Sequence, residues 1–305
     1  MDAALILARA ELPAAERPAL VYLTSLTRGS RRTMRQALDT CARLLTGGRC
    51  DCEGCPWGLV RWQHTAALRG ILVDVYAPAT ARKVLSALRG VLRAAWRLGQ
   101  MTADELARAL DWGPVRGETL PRGRALSADE LRALFGACGS DVAGLRDAAL
   151  LAVLRYAGLR RSEVCALELA DWQPAAGALR VRHGKGRRER TVFVSPIAAE
   201  YIRAWLAARG EGPGPLFNPV RAAVVMAGGI TCAGLYEALG RLARRAGVSG
   251  SSPHDLRRTF VSDLLDAGAD IATVQRLAGH ANVATTARYD RRGDETLRRA
   301  VGLLR

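Results

Sequence analysis

A chain of 305 residues, 49% of them apolar, is long enough for one large domain or two ordinary ones with real hydrophobic cores. Its formal net charge of +16 favours a polyanion such as nucleic acid as the partner, although charge alone supports only non-specific binding. No apolar run is long enough to cross a bilayer, and Met1–Leu20 lacks the pattern of a secretory leader, so membrane and secreted classes are excluded and a cytoplasmic protein is expected.

Four of the seven cysteines cluster near the N-terminus, namely Cys41, Cys50, Cys52 and Cys55. Zinc sites usually have paired Cys-x2-Cys hooks separated by a longer loop, whereas the first pair here encloses a single residue. We therefore favour reduced, incidental thiols in a loop, with metal binding as the alternative. The remaining cysteines are expected to be small core residues: Cys138, Cys165 and Cys232.

The first part of the chain predicts an N-terminal extension over residues 1–23 and a strand-free helical domain over residues 24–112. A helix over Ser30–Leu45 follows from an apolar stripe at helical spacing, and a second is expected over Pro56–Gly70. The stripe of the first helix comprises Met34, Leu38, Cys41 and Leu45.

A third helix is predicted over Arg82–Gln100, with Thr80 as its N-cap. Its apolar arc comprises Leu85, Leu88, Val91, Leu92, Ala95 and Trp96. Arginines fill the neighbouring arc, among them Arg82, Arg89 and Arg93. This face is either a solvated basic surface or a contact with DNA phosphates.

Residues 113–126 are rich in glycine, proline and arginine without periodicity, which indicates an inter-domain linker. A capping box, Ser127-Ala-Asp-Glu130, then opens a second domain over residues 127–305. This domain is predicted to be mostly helical with one small antiparallel sheet. The expected helices are Ala128–Cys138, Val142–Tyr156, Ser162–Leu167, Ile197–Ala208, Ala233–Ala246 and one beyond Asp255, and the expected strands are Leu179–His183 and Arg190–Val194.

Four short segments of the second domain carry residues suited to breaking a phosphodiester. They are Gly158-Leu-Arg160-Arg-Ser-Glu163, Gly184-Lys185-Gly186, Pro253-His254-Asp-Leu-Arg257, and Gly279-His280 followed by Tyr289. Arginine offers a planar fork of donors that matches phosphate oxygens, imidazole transfers protons near neutral pH, and a phenol can act as a nucleophile. The order and spacing of these segments resemble those of the tyrosine recombinases, also called the phage integrase family.

That resemblance implies a mainly α fold: an N-terminal helical core-binding (SAM-like) domain and a C-terminal α-rich catalytic domain with a small antiparallel sheet, the DNA breaking-rejoining fold. It implies that Arg160 and Arg257 hold the scissile phosphate and that Glu163 orients neighbouring groups. By the same resemblance, Lys185 protonates the leaving oxygen and Tyr289 is the nucleophile. His254 and His280 then serve as proton-transfer or hydrogen-bonding groups.

Structural explanations remain open for single residues. Glu163 could simply pair with Arg160, Lys185 could be an exposed hairpin-tip residue, and Tyr289 could be a half-buried aromatic. For the whole chain, the alternatives are a DNA-relaxing enzyme like the type IB topoisomerases and a non-catalytic DNA-binding protein with the same fold.

The resemblance also implies partners and chemistry. Double-stranded DNA is the expected substrate, bound by a homotetramer whose C-terminal tails are exchanged between subunits. Transesterification conserves the bond energy, so neither metal, nucleotide nor another cofactor is expected. Within the family, the short N-terminal extension favours the Xer-type or mobile-element integrases as the subgroup that this chain resembles.

Overall fold

The computed structural model describes residues 13–117, 123–182, 189–280, 282–287 and 301. The chain divides into two compact units, Met1–Pro121 and Arg122–Arg305. No helix within these described ranges is long and apolar enough to cross a membrane.

The first unit is built from five α-helices, with no strand among its described residues. They are α1 (Pro18–Ser25), α2 (Arg28–Thr46), α3 (Trp62–Val75), α4 (Pro78–Arg97) and α5 (Ala103–Ala109), with 3-10 turns at Ala14–Glu16 and Trp57–Leu59. The predicted helical domain is confirmed, but the prediction that Thr80 caps α4 is wrong. Pro78 occupies the first turn and Ala77 the N-cap, because the fixed φ of proline suits a helix start.

Helix α4 carries most of its apolar residues into the core of the first unit. Leu85, Leu88, Val91 and Leu92 are all buried, as predicted. Trp96 is not, since it lies at the edge of the apolar arc beside the arginines and is 42% exposed. At Gly90 the ring of Tyr22 from α1 lies where a Cβ would stand, so α1 packs directly on the α4 backbone.

The cysteine cluster lies mostly inside this core. Cys50, Cys52 and Cys55 lie, as predicted, in the loop between α2 and the turn at Trp57–Leu59 and are free thiols, and Cys41, Cys52 and Cys55 are buried. The thiols of Cys50 and Cys55 are hydrogen-bonded, and burial raises the pKa of the Cys55 thiol, which favours its protonated form. Among the described residues, no three His, Cys, Asp or Glu side chains converge as a metal site would require.

The second unit is mostly helical. Its α-helices are α6 (Ala128–Gly136), α7 (Val142–Tyr156), α8 (Arg161–Val164), α9 (Pro196–Arg209), α10 (Cys232–Arg245), α11 (Pro253–Asp266), α12 (Ile271–Ala278) and α13 (Val283–Ala287). Helix α7 has the predicted bounds and is buried along nearly its whole length, where it packs against α9. Ser127 caps α6 through the predicted box with Glu130.

A three-stranded antiparallel sheet lies beside these helices, in the order β1 (Trp172–Gln173), β2 (Ala178–Val181), β3 (Arg190–Phe193). The predicted β2–β3 pair is confirmed, with Leu179 opposite Val192. Strand β1 and a second small ladder, β4 (Val220–Arg221) with β5 (Val224–Val225), were not predicted. Cys138, Cys165 and Cys232 are only partly buried, so the prediction that they are core residues is wrong.

The beginning of the second unit is fastened to α11. The carboxylate of Asp255 accepts the backbone N–H of Arg124 at 3.1 Å, and the Thr259 hydroxyl accepts that of Leu126 at 2.9 Å. Arg258 donates from Nη1 to the carbonyl of Gly123 at 2.6 Å. The segment Gly123–Leu126, which the sequence presents as linker, is therefore part of the packed structure around α11.

Candidate active site

Arg160 forms the N-cap of α8 and is held by Glu163. One Glu163 oxygen accepts the backbone N–H of Arg160 at 2.8 Å, and the other accepts the Arg160 Nη1 at 2.8 Å. Nη2 of Arg160 donates to the carbonyl of Gly279 at 2.5 Å. The side chain of Glu163 is only 2% exposed, whereas that of Arg160 keeps 26%. The ion pair between them therefore exists, and it leaves part of the guanidinium facing solvent.

Arg257 lies on α11 and is buried. Its Nη1 donates to the carbonyl of Gly158 and its Nη2 to the carbonyl of Ala278, at the end of α12. Gly158 has a φ of +59°, and a Cβ there would collide with the ring of Phe260. A glycine is thus needed at the turn that presents this carbonyl.

His280 follows the C-terminal turn of α12, where Gly279 adopts the left-handed conformation. Its Nδ1 lies 2.9 Å from the hydroxyl of Thr286, a fully buried residue of α13. Burial, followed by the positive charges of Arg257 and Arg160, lowers the pKa of His280 to about 4. The ring is therefore neutral at physiological pH, and a hydroxyl that donates to Nδ1 leaves the ring proton on Nε2.

His254 lies in the first turn of α11, one helical turn before Arg258. Partial burial, then the positive charges of Arg258 and Arg257, lower its pKa below the usual range. The charge of Arg160 acts in the same direction. His254 is also among the groups that depress the pKa of His280. Arg160, His254, Arg257 and His280, which we call the Arg/His cluster, therefore lie close together.

Arg190, the first residue of β3, adds a cation that was not predicted as part of the site. Its Nη1 and Nη2 donate to the two oxygens of Glu163 at 2.9 and 2.8 Å. A signal for it exists in the sequence, because strand alternation puts Arg190 on the same face as the buried Val192 and Val194. An arginine on an inward face needs a charged partner.

The electrostatics of this arrangement suit an anion. Arg160, Arg190 and Arg257 bring three positive charges against the one negative charge of Glu163, a net of +2. Burial by itself would raise the pKa of the Glu163 carboxyl, but hydrogen bonds from Arg190 and the backbone of Arg160 lower it to about 2. The carboxylate therefore stays ionised and fixes the arginines, while the surplus charge remains for a phosphate.

Five of the predicted site residues are thus brought together: Arg160, Glu163, His254, Arg257 and His280. The two others, Lys185 and Tyr289, lie outside the described residues. Of the arginines predicted to contact DNA, Arg82 donates to the carbonyls of Val115 and Gly117. Arg89 lies over the ring of Trp112, 5.5 Å from its centroid.

Comparisons with known proteins agree with this geometry. The sequence model of the phage integrase family matches residues 124–295, more than half of the chain. The tyrosine recombinase XerC of Azotobacter vinelandii is 34% identical over 275 residues, which cover 86% of this chain and 87% of that protein. The tyrosine recombinase XerD of Mycobacterium leprae is 35% identical over 229 residues, 71% of each chain.

Solved structures show the same fold at lower identity. The Tn1549 transposon integrase in complex with transposon right end DNA aligns with a TM-score of 0.71 and 16% identity, over 96% of this chain and 99% of that one. A lambda integrase dimer bound to a core site aligns with a TM-score of 0.64 and 17% identity, over 91% and 95%. The predicted mainly α fold with a small antiparallel sheet is thereby confirmed.

Proposed function

Since the chain belongs to the phage integrase family and is a tyrosine-type site-specific DNA recombinase, we propose that its Arg/His cluster holds the scissile phosphate while Tyr289 attacks it. The observation that carries the assignment of residues is the convergence of two arginines and two histidines around the ends of α11 and α12. Four side chains from three separate sequence segments meet there, and we assign each a role in phosphoryl transfer.

In the proposed reaction, the phenolic oxygen of Tyr289 forms a bond to phosphorus and the bond from phosphorus to the 5′ oxygen breaks. The products are a 3′-phosphotyrosyl link and a free 5′ hydroxyl. A 5′ hydroxyl from the partner duplex then attacks the phosphotyrosine, reforms a phosphodiester and releases the phenol. One ester replaces another at each step, so the exchange needs no energy from nucleotide hydrolysis.

The described residues supply the stabilisation of charge. Arg160 and Arg257 are oriented by backbone carbonyls before any substrate arrives. Donors that are fixed in advance favour a transition state in which negative charge builds on the phosphate oxygens. His280, neutral and with Nδ1 facing Thr286, is suited to donate from Nε2 to a non-bridging oxygen. His254, also held neutral, can accept the phenolic proton.

We assign to Lys185 the protonation of the departing 5′ oxygen. An alkoxide leaves poorly without an acid, and an ammonium gives up a proton far more readily than a guanidinium. Lys185→Ala should therefore cleave ordinary DNA slowly but recover on a substrate with a 5′ sulfur leaving group. Equal losses on both substrates would remove this role.

The nucleophile is tested by trapping on a nicked suicide duplex whose cleaved end diffuses away. The wild type should form a covalent complex with the DNA, and Tyr289→Phe should form none. Tyr201→Phe serves as the matched control, because that ring is stacked on Phe135 and the stacking survives loss of the hydroxyl. A covalent complex with Tyr289→Phe, or none with the wild type, would overturn the assignment.

The protein binds DNA, and we propose that residues 24–112 form a core-binding domain while residues 127–305 form the catalytic domain. The split of the chain into the compact units Met1–Pro121 and Arg122–Arg305 supports this division, and the exposed arginines of α4 support contact between the first domain and DNA. Arg93 is the best placed of the predicted contacts: all three arginines are exposed on α4, but Arg82 donates to the carbonyls of Val115 and Gly117 and Arg89 lies over Trp112.

We further propose that four protomers act together. Exchange between two duplexes breaks four strands, and each protomer contributes a single Tyr289. Mass measurement of the complex assembled on two target duplexes should give four protomers. Complete strand exchange by a complex of two protomers would contradict this, and relaxation of supercoils by a monomer would favour a topoisomerase-like role.

A further inference from the structure

We infer that Arg190 is a positioning residue for DNA cleavage: it holds both oxygens of the Glu163 carboxylate and thereby fixes the phosphate-binding guanidinium of Arg160. The inference rests on the proposed function, because it concerns how that same site is held. It adds to the site a residue that does not belong to the Arg/His cluster but supports Arg160 through Glu163.

The first support is the way Glu163 is shared. Its Oε1 accepts Nη1 of Arg160 at 2.8 Å and Nη1 of Arg190 at 2.9 Å. Its Oε2 accepts the backbone N–H of Arg160 and Nη2 of Arg190, both at 2.8 Å. Each carboxylate oxygen thus accepts one hydrogen bond from Arg160 and one from Arg190, so the position of the carboxylate, and with it that of Arg160, depends on both arginines.

The second support is burial. The side chain of Arg190 is 16% exposed and that of Glu163 is 2% exposed, so this pair is shielded from water on most sides. Removing one partner of such a pair leaves a charge that solvent cannot compensate, which is far more disruptive than loss of a surface ion pair. Without Arg190, Glu163 would be drawn wholly to Arg160 and would displace it.

The third support is contact with the turn that precedes His280. A Cβ on Gly279 would lie 2.7 Å from Cζ of Arg190, so the guanidinium packs against bare backbone there. The carbonyl of the same glycine accepts Nη2 of Arg160 at 2.5 Å. Arg190 therefore lies beside both groups that hold the Arg160 guanidinium, namely the Glu163 carboxylate and the residue whose carbonyl accepts Nη2, Gly279. It also lies five residues after Lys185 in the chain.

The test compares Arg190→Met, Arg190→Lys, Glu163→Gln and the double variant Glu163→Gln/Arg190→Met. DNA affinity, the single-turnover rate of covalent complex formation and the thermal unfolding midpoint are measured for each. We expect Arg190→Met to cleave on the order of 10- to 100-fold more slowly with little loss of DNA affinity, because a small displacement of a catalytic group has effects of that size. Arg180→Met is the control, since it breaks an arginine contact to the buried Asp171 on the same sheet.

The comparison of the double variant with the two single variants distinguishes a positioning role of Arg190 from a general loss of protein stability. If Arg190 acts through Glu163, the double variant is no slower than the slower single variant, whereas independent effects multiply. The pH profile adds a second readout: with Arg190 gone, burial raises the pKa of Glu163, so cleavage should fall off at higher pH than in the wild type as the solution is acidified. Arg190→Lys restores charge but not the two-pronged contact, so it should recover part of the rate.

A second pair of variants reaches the same contact without altering either charge. Gly279→Ala should push Arg190 aside, while Gly247→Ala imposes a similar left-handed strain, at φ +66°, in open space. Cleavage should drop in the first and not in the second. Wild-type rates for Arg190→Met or Arg190→Lys, or multiplicative effects in the double variant, would overturn the inference while covalent trapping through Tyr289 left the proposed function standing.

Discussion

His280 shows how a single side chain can be prepared for its task by its surroundings. Its pKa of about 4 in the folded protein, caused first by burial and then by neighbouring guanidiniums, keeps the ring neutral at physiological pH. The hydroxyl of Thr286 lies 2.9 Å from Nδ1, so a neutral ring that accepts a hydrogen bond from this hydroxyl carries its own hydrogen on Nε2. In the proposed reaction, His280 would donate a hydrogen bond to a phosphate oxygen while its own ring carries no charge.

This shift has a consequence for stability. In the unfolded chain a histidine titrates near pH 6.5, so between pH 6.5 and about 4 the unfolded state binds a proton that folded His280 does not. The free energy of unfolding of the DNA-free protein should therefore fall as the pH is lowered through that interval. The stabilisation from Glu163, whose pKa is about 2, is lost only below pH 4.5.

Denaturant unfolding at several pH values between 7 and 4.5 checks this expectation, with His280→Gln as the comparison. The variant should show a smaller loss of stability over the interval. NMR titration of the His280 ring should place its midpoint near 4. Equal pH slopes for wild type and variant, or a midpoint near 6.5, would contradict the assignment.

The site residues that the sequence could predict are those that stand in short motifs with a fixed spacing, such as Arg257, three positions after His254. Arg190 and Thr286 were missed, because their roles depend on what the fold brings opposite them. Strand alternation puts Arg190 on the inward face with Val192 and Val194, but only the fold shows that its partner there is the shared Glu163.

At the scale of elements, the sequence predicts those helices and strands that have a periodic apolar pattern or a recognisable capping residue. Helix α7 has the predicted bounds because Asp141 caps it and the apolar run Ala148–Leu154 fills its second half. Helix α5 was missed although Thr102-Ala-Asp-Glu105 repeats the box pattern that predicted α6. Strands of two residues, such as β1, are too short to alternate, and only their partners in the sheet define them.

The fastening of α11 yields a prediction at this scale. The Thr259 hydroxyl accepts the N–H of Leu126 at 2.9 Å and donates to the carbonyl of Asp255 at 2.8 Å. Thr259→Val keeps the shape but leaves that buried N–H without its acceptor, which should cost about 1–3 kcal/mol of unfolding free energy. Urea unfolding measures it, and the exposed Thr191→Val serves as control. Equal stability of the two variants would show that this bond contributes little.

At the scale of the whole molecule, composition gives the net charge directly, but the sequence does not show where the charged side chains lie on the folded protein. The net charge of +16 indicates a polyanion, but it does not say which arginines face outward. Arg82 and Arg89 lie on the predicted basic face, yet Arg82 binds backbone carbonyls within its own unit and Arg89 stacks on Trp112. Only the folded unit distinguishes these from Arg93.

DNA affinity should fall steeply with salt, by about 0.9 logarithmic units per phosphate contact for each tenfold rise in salt. Arg93→Gln should lower the slope by about one contact, because an exposed guanidinium contributes chiefly through the phosphate it meets. Arg82→Gln should instead lower the thermal stability of the first unit. Titration of a labelled duplex between about 50 and 200 mM salt tests both. A flat salt response of the wild type would exclude a phosphate-dominated interface.

The attachment of Gly123–Leu126 to α11 determines where the protein can be divided for study. A fragment that starts at the capping box, Ser127, would lose the backbone groups that Asp255, Arg258 and Thr259 bind, on the helix that carries His254 and Arg257. A fragment that starts at Arg122 keeps them. Anyone wishing to express the carboxyl-terminal portion alone should therefore retain five residues that look dispensable.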